Sequence, residues 1–85
     1  MKVKIFVKDE CPNCPQAKDM GKLLETDGHD VEYHNISTID GLTESSFHGI
    51  MSTPSIIITG DDGKEKTGWR STVPDIAEIR RVLSK

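Results

Sequence analysis

A strand–helix–strand pattern in the first 36 residues constrains the fold of this chain more than any other feature of its sequence. The run Val3-Lys4-Ile5-Phe6-Val7 is rich in β-forming residues and apolar on both faces, which predicts a strand over about residues 2–8. Apolar residues then recur at helical spacing until Asp27-Gly28; they are Ala17, Met20, Leu23 and Leu24. The segment Val31–Ile36 alternates and follows a turn signal, so it predicts a second strand, parallel to the first through a right-handed crossover.

The second half of the chain predicts one more helix, a hairpin and a final helix. Ser37–Gly49 reads as a weaker helix that carries Leu42, Ser46 and Phe47. The further predicted segments are a buried central strand at Ser55–Thr59, a turn at Gly60–Gly63, a charged edge strand at Lys64–Trp69, and a helix carrying Ile76, Ile79 and Leu83 after Thr72-Val73-Pro74-Asp75. The predicted order is βαβαββα in an α/β fold, a four-stranded mixed sheet flanked by helices, and residues 1–85 have room for a single domain.

Composition and charge exclude two classes of partner. The formal net charge is −3 and the charges of both signs are interspersed, so no basic stripe can neutralise a row of phosphates, and we expect no nucleic acid partner. The apolar N-terminal stretch is interrupted by Lys2, Lys4 and Lys8, unlike the h-region of a signal peptide. We therefore expect a cytoplasmic protein without a membrane partner, and nothing in the pattern demands more than a monomer.

The two cysteines stand in a Cys11-Pro12-Asn13-Cys14 motif, between the first strand and the first helix. They are too close in sequence to link distant parts of a domain, so they indicate a reactive role and not a structural one. Cys11, near the positive end of a helix dipole, is predicted to be the thiolate that attacks a target disulfide. Cys14, one turn further on, is predicted to resolve the mixed disulfide.

Neighbouring residues modulate this motif in ways that the sequence leaves open. Pro15 disfavours a helical conformation at Cys14, so we expect the helix to begin a residue or two later than usual. Four charged residues lie close by and act in opposite senses on a thiolate, so the net effect on the pKa of Cys11 stays open; they are Lys8, Asp9, Glu10 and Lys18.

A metal site is the alternative interpretation of the same cysteines. Cys11, Cys14, His29 and His34 give the spacing C-x2-C-x14-H-x4-H, close to that of a zinc finger. The predicted order of elements is wrong for a zinc finger, because the cysteines open a helix and His34 lies in a strand. We therefore predict no metal, treat His29, His34 and His48 as solvated surface or turn residues, and keep a non-catalytic zinc or iron–sulfur module as the rival from another functional class.

Together with the Thr53-Pro54 pair before the third strand, the cysteine motif makes the whole chain resemble the thioredoxin superfamily, and its glutaredoxin branch in particular. The resemblance implies that Pro54 is cis and faces the disulfide. It also implies that the backbone of Thr53 pairs with a bound substrate as an added strand. Asn13 departs from the Tyr of typical glutaredoxins.

The segment Thr67-Gly68-Trp69-Arg70-Ser71 stands where classical glutaredoxins carry a glutathione-binding Gly-Gly pair. It is similar to the Ser-Gly-Phe-Arg-Pro segment of NrdH-type redoxins, which donate electrons to ribonucleotide reductase and are typically recycled by thioredoxin reductase. On that resemblance Gly68, Trp69 and Arg70 are candidate binding residues, with an aromatic cover of the sheet edge as the alternative role of Trp69. The implied function is a dithiol–disulfide oxidoreductase for protein disulfides that needs no bound cofactor, with a glutathione-dependent glutaredoxin as the alternative.

Overall fold

A computed structural model describes residues 1–84 of the chain. It has four strands and three helices over these residues: β1 (Lys2–Val7), α1 (Cys14–Thr26), β2 (Asp30–Asn35), α2 (Ile39–Phe47), β3 (Ser55–Thr59), β4 (Glu65–Arg70) and α3 (Ile76–Leu83). The βαβαββα order predicted from the sequence is confirmed, and the bounds predicted for the strands agree with these to within one residue.

The strands form one mixed sheet in the order β2-β1-β3-β4. β1 and β2 are parallel and are joined by α1, whereas β3 is antiparallel to β1 and to β4. All five residues of β3 are buried, which confirms that the isoleucine run lies in the interior of the sheet, and β4 is an edge strand as predicted.

The helices cover both faces of the sheet. On one face α1 and α3 pack over a cluster that includes Val3, Ile5 and Ile58, together with Ala17 and Ile79 from the helices. On the other face α2 covers a smaller cluster whose members are Phe6, Ile50 and Ile57, with Ile36 beside it. Phe6 thus fills the face that its neighbours in β1 do not.

The inner side of α2 carries small residues in place of large apolar ones. Leu42 and Phe47 are 55% and 77% exposed, and the buried residues of this helix are Gly41 and Ser45. The cause is a close approach, because a Cβ on Gly41 would lie 1.7 Å from the backbone carbonyl oxygen of Asn35. Only a residue without a side chain fits between the helix and the end of β2, so the large apolar side chains point outward.

Cys14 takes a helical conformation although Pro15 follows it, which differs from the expectation for that residue. The helix begins at Cys14, with Asn13 as the N-cap and Pro15 in its first turn. Proline is tolerated there because the first N–H groups of a helix have no partner within it. Pro15 therefore does not displace the helix beyond Cys14, and Cys11 lies three residues before it.

Candidate redox site

Cys11 and Cys14 are joined by a disulfide with an S–S distance of 2.12 Å. The backbone N–H of Cys14 donates to the carbonyl of Cys11 at 3.3 Å, which closes a turn directly before α1. Cys14 is only 3% exposed and belongs to the core cluster under α1, whereas Cys11 is partly exposed. An incoming sulfur atom therefore has access to Cys11, and Cys14 lies behind it.

The turn that precedes Cys11 is held against the end of β2. The side-chain amide of Asn35 donates to the Asp9 carboxylate at 3.1 Å, and the backbone N–H of Asp9 donates to the Ser37 hydroxyl at 3.4 Å. Glu10 has a φ of 58°, a left-handed conformation that is uncommon for a residue other than glycine. Such backbone strain clusters at functional sites, where the surrounding contacts hold it.

An open groove of about 540 Å³ runs along one side of the disulfide. The residues that line it are Lys8, Asp9, Glu10, Cys11, Pro12, Cys14, Pro15 and Lys18. The two lysines and two acidic residues named from the sequence thus surround the same groove as both sulfur atoms, with charges of both signs. A partner that reaches Cys11 from this side therefore meets solvent-exposed side chains of both charges.

Thr53 lies directly beside the nucleophile. Its hydroxyl Oγ1 is 3.6 Å from Cys11 Sγ, within the range of a hydrogen bond to sulfur, and the Thr53–Pro54 peptide bond is cis. A hydroxyl that donates to a thiolate favours the charged form of the sulfur. Sequence reasoning named Thr53 for its backbone alone, and the side-chain contact joins residues 42 positions apart, which no local pattern signals.

A second groove, of about 220 Å³, lies beside the buried Pro54. It is lined by Asn13, Gln16, Pro54, Ser71, Thr72 and Val73. Sequence reasoning did not single out Gln16 or the loop 71–73 as site residues. The one signal in that loop is structural, since Ser71 has a φ of 65° and turns the chain sharply after β4.

Gly68, Trp69 and Arg70 do not share one surface. Trp69 packs against the cluster under α1 and α3, and its indole N–H donates to Glu78 at 3.3 Å. Gly68 faces Ile57 on the opposite side of the sheet, where a Cβ would lie 2.6 Å from that side chain. Arg70 donates to the Glu65 carboxylate at 2.8 Å and to the carbonyl of His48 at 2.9 Å. None of these three is among the described residues that line the two grooves. Their role in binding therefore stays a prediction.

Two of the three histidines are less solvated than predicted. His34 stacks on Phe6 with ring centroids 5.3 Å apart, and its Nε2 lies 3.0 Å from the Glu32 carboxylate. His48 is 9% exposed and packs edge-on against the same phenyl ring at 6.1 Å. Both imidazole rings thus pack against Phe6, one from β2 and one from the C-cap of α2. Within residues 1–84, no group of three or more His, Cys, Asp or Glu side chains converges as a metal site would require.

No helix within residues 1–84 combines the length and the apolar character needed to cross a membrane.

Comparisons with known proteins converge on one family. The family model described as thioredoxin domain matches residues 1–84. A protein named thioredoxin from Methanocaldococcus jannaschii is 32% identical over 62 residues, which are 72% of this chain and 73% of that protein.

The solved structures that share the fold include two thioredoxins. Thioredoxin 1 of Thermosipho africanus has a TM-score of 0.72 at 21% identity, over 99% of this chain and 96% of that one. Oxidised thioredoxin O2 of Arabidopsis thaliana has a TM-score of 0.78 at 13% identity, over 98% of this chain and 71% of that one.

Proposed function

This chain belongs to the thioredoxin-domain family and is a thiol–disulfide oxidoreductase, and from that premise we propose that it reduces disulfides of other proteins through Cys11. The observation that carries the proposal is the asymmetry of the pair. Cys11 is accessible and has the Thr53 hydroxyl 3.6 Å from its sulfur, whereas Cys14 is 3% exposed. One sulfur is therefore suited to attack, and the other to resolve.

The reaction begins with the reduced chain. The Cys11 thiolate attacks one sulfur of the target disulfide, so that a bond forms between Cys11 and that sulfur while the target S–S bond breaks. The other target sulfur leaves as a thiolate and takes a proton from solvent. Cys14 then loses its proton and attacks Cys11 Sγ, which forms the Cys11–Cys14 disulfide and releases the second target thiol. The target gains two electrons and the chain loses two.

The burial of Cys14 supports an order in these steps. Burial in apolar surroundings disfavours a thiolate, so Cys14 stays protonated while Cys11 attacks. Because the two residues lie in the same turn, with Cα atoms 5.3 Å apart, the resolving thiol is already next to the mixed disulfide when that forms. Because the resolving thiol belongs to the same chain, it releases the target before a thiol of a second chain can attack the mixed disulfide.

We propose that the oxidised chain is recycled by a thioredoxin-reductase-like enzyme in the cytoplasm, and that ribonucleotide reductase is a candidate target. The support is the segment Thr67–Ser71, which stands in place of a Gly-Gly pair, together with the thioredoxin of Methanocaldococcus jannaschii found as a relative. A cytoplasm keeps thiols reduced, which suits a dithiol donor. A glutathione-dependent glutaredoxin is the second candidate, and the test below separates the two.

The first test uses two matched cysteine variants. Cys11→Ser abolishes reduction of insulin because it removes the attacking sulfur. Cys14→Ser keeps the attack but loses the resolving step, so it accumulates a mixed disulfide that non-reducing mass spectrometry detects and dithiothreitol releases. Activity in Cys11→Ser, or a covalent adduct through Cys14 in that variant, contradicts the assigned roles.

The second test compares two recycling systems with the oxidised wild-type chain. Reduction by NADPH and thioredoxin reductase is expected to be faster than reduction by glutathione and glutathione reductase. The reverse order makes the chain a glutathione-dependent glutaredoxin. A stoichiometric metal in anaerobically purified protein, lost in either cysteine variant, indicates a zinc or iron–sulfur module in place of both.

A further inference from the structure

Three serines connect the two loops that border the groove beside Pro54; we refer to Ser52, Ser55 and Ser71 as the serine bridge. The Ser55 hydroxyl donates to the carbonyl of Ser52 at 2.8 Å and accepts from the backbone N–H of Ser71 at 3.2 Å. The hydroxyls of Ser52 and Ser71 are also in hydrogen-bond contact. The bridge therefore joins the loop before the cis peptide bond to the loop after β4, two segments 19 residues apart in sequence.

Ser55 occupies the centre of this bridge and is fully buried. It is the first residue of β3 and pairs with Arg70, the last residue of β4. Beyond that pair Ser71 adopts its left-handed φ of 65° and turns away from β3, so its backbone N–H has no strand partner to continue the ladder. The Ser55 side chain supplies the acceptor, because a buried or partly buried N–H without one is costly.

The bridge ties together two segments that line the groove. Pro54, two residues after Ser52, is a lining residue, and so are Ser71, Thr72 and Val73 from the loop after β4. Asn13 and Gln16, on either side of the start of α1, also line the groove, which has a volume of about 220 Å³.

We propose that Ser55 is a positioning residue: its hydrogen bonds hold the two segments that line this groove in place for the peptide that flanks a target disulfide. The proposal rests on the function proposed above and adds a residue that positions the groove. The hydrogen bonds of the Ser55 hydroxyl go to Ser52 and Ser71 and not to the sulfur atoms of Cys11 and Cys14. It acts through the loops on both sides of the groove, so its loss weakens binding of the flanking peptide and leaves the chemistry of Cys11 in place.

The test is Ser55→Ala, with Ser45→Ala as the matched control. Ser45 is also a buried serine, 1% exposed, and its hydroxyl donates to the carbonyl of Leu42 at 2.9 Å in α2, away from both grooves. Each substitution removes one buried hydroxyl that is hydrogen-bonded to a backbone carbonyl. A general loss of structure therefore affects both variants, and a loss of groove geometry affects only the first.

Two substrates are compared in assays driven by excess dithiothreitol: insulin, which has peptide on both sides of its disulfides, and hydroxyethyl disulfide, which has none. Ser55→Ala is expected to raise the KM for insulin about five-fold, the equivalent of about one hydrogen bond, with kcat changed less than about two-fold. The ratio of kcat/KM for insulin to that for hydroxyethyl disulfide falls by about the same factor. Ser55→Thr, which keeps the hydroxyl, restores the ratio.

The positioning role is overturned if kcat/KM falls equally for insulin and hydroxyethyl disulfide in Ser55→Ala. It is also overturned if Ser45→Ala changes the ratio of the two kcat/KM values by the same factor. If Ser55→Ala does not fold, Ser52→Ala tests the bridge in its place, because it removes the hydroxyl contact with Ser71 and Ser52 is not among the residues that line the groove. Failure of the wild-type chain itself to reduce insulin refutes the proposed function, and is thereby distinguished from a failure of the bridge.

Discussion

Replacing Gly41 with alanine tests how closely α2 lies on the end of β2. The new Cβ would be 1.7 Å from the Asn35 carbonyl oxygen and 2.3 Å from its carbon, and both atoms belong to the backbone. Ordinary contact begins at 3.4 Å, so the helix has to retreat by roughly 1.7 Å. No rotation of a side chain can relieve this contact, because neither partner atom lies in a side chain.

The cost follows from what α2 covers. A retreat of that size pulls α2 and its C-cap His48 away from Phe6, and a gap of about 1 Å already loses up to half of the dispersion energy of the atoms that face it. Large core truncations that open comparable gaps cost about 3–5 kcal/mol. Alanine returns about 1 kcal/mol of helix propensity relative to glycine. We expect Gly41→Ala to lower the free energy of unfolding by about 3 kcal/mol.

Gly21→Ala is the matched control for this prediction. Gly21 lies inside α1, and a Cβ there would meet the side-chain atoms Tyr33 Oη at 2.5 Å and Ile5 Cδ1 at 2.7 Å. Tyr33 is 41% exposed and can swing outward. The clash is thus relieved by side-chain movement, and the propensity gain offsets much of it. We expect a change within about 1 kcal/mol.

Urea denaturation of the oxidised proteins, followed by circular dichroism, measures both variants. The midpoint of Gly41→Ala should fall well below that of Gly21→Ala at an unchanged slope. The reasoning is refuted if Gly41→Ala loses less than about 1 kcal/mol, or if the two variants lose the same amount. A lowered stability with normal insulin reduction by the remaining folded protein would show that α2 supports the fold without entering the chemistry.

Two further predictions concern pH. The Lys4 ammonium donates to Glu44 and lowers the pKa of that carboxyl below 4.5, so the ion pair stabilises the fold above pH 4.5 and this contribution is lost as the pH falls through the folded pKa. The urea midpoint of the wild type should therefore fall more steeply on acidification than that of Glu44→Gln, and parallel curves contradict the assignment. Partial burial, together with the neighbouring Glu25 carboxylate, raises the pKa of Tyr33 from 10.0 to about 12, so its contribution is complete below pH 10 and is lost as the pH rises towards 12. Because Tyr33 is the only tyrosine, phenolate absorbance should titrate near 12 in the folded protein and near 10 in urea, and a single midpoint for both states contradicts it.

The order of the helices and strands could be predicted from the sequence because it depends on local patterns. Two-sided apolar runs predicted β1 and β3, helical spacing predicted α1 and α3, and the Gly60–Gly63 turn predicted the hairpin. The redox chemistry was also predicted, since a nucleophile and its resolving partner within one turn need only the Cys11–Cys14 spacing. Family comparison confirms the superfamily and leaves the glutaredoxin-like and NrdH-like features as predictions.

The tertiary structure decided the features that join residues distant in sequence. It brought the Thr53 hydroxyl to Cys11, placed the loop 71–73 and Pro54 in the lining of one groove, and buried His48 against Phe6. Each depends on how far apart two elements pack, and hydrophobic periodicity does not encode that distance. The inner side of α2 depends on such a distance as well: the sequence predicted a helix that carries Leu42, and the close contact between Gly41 and Asn35 leaves no room for a large side chain on its inner face.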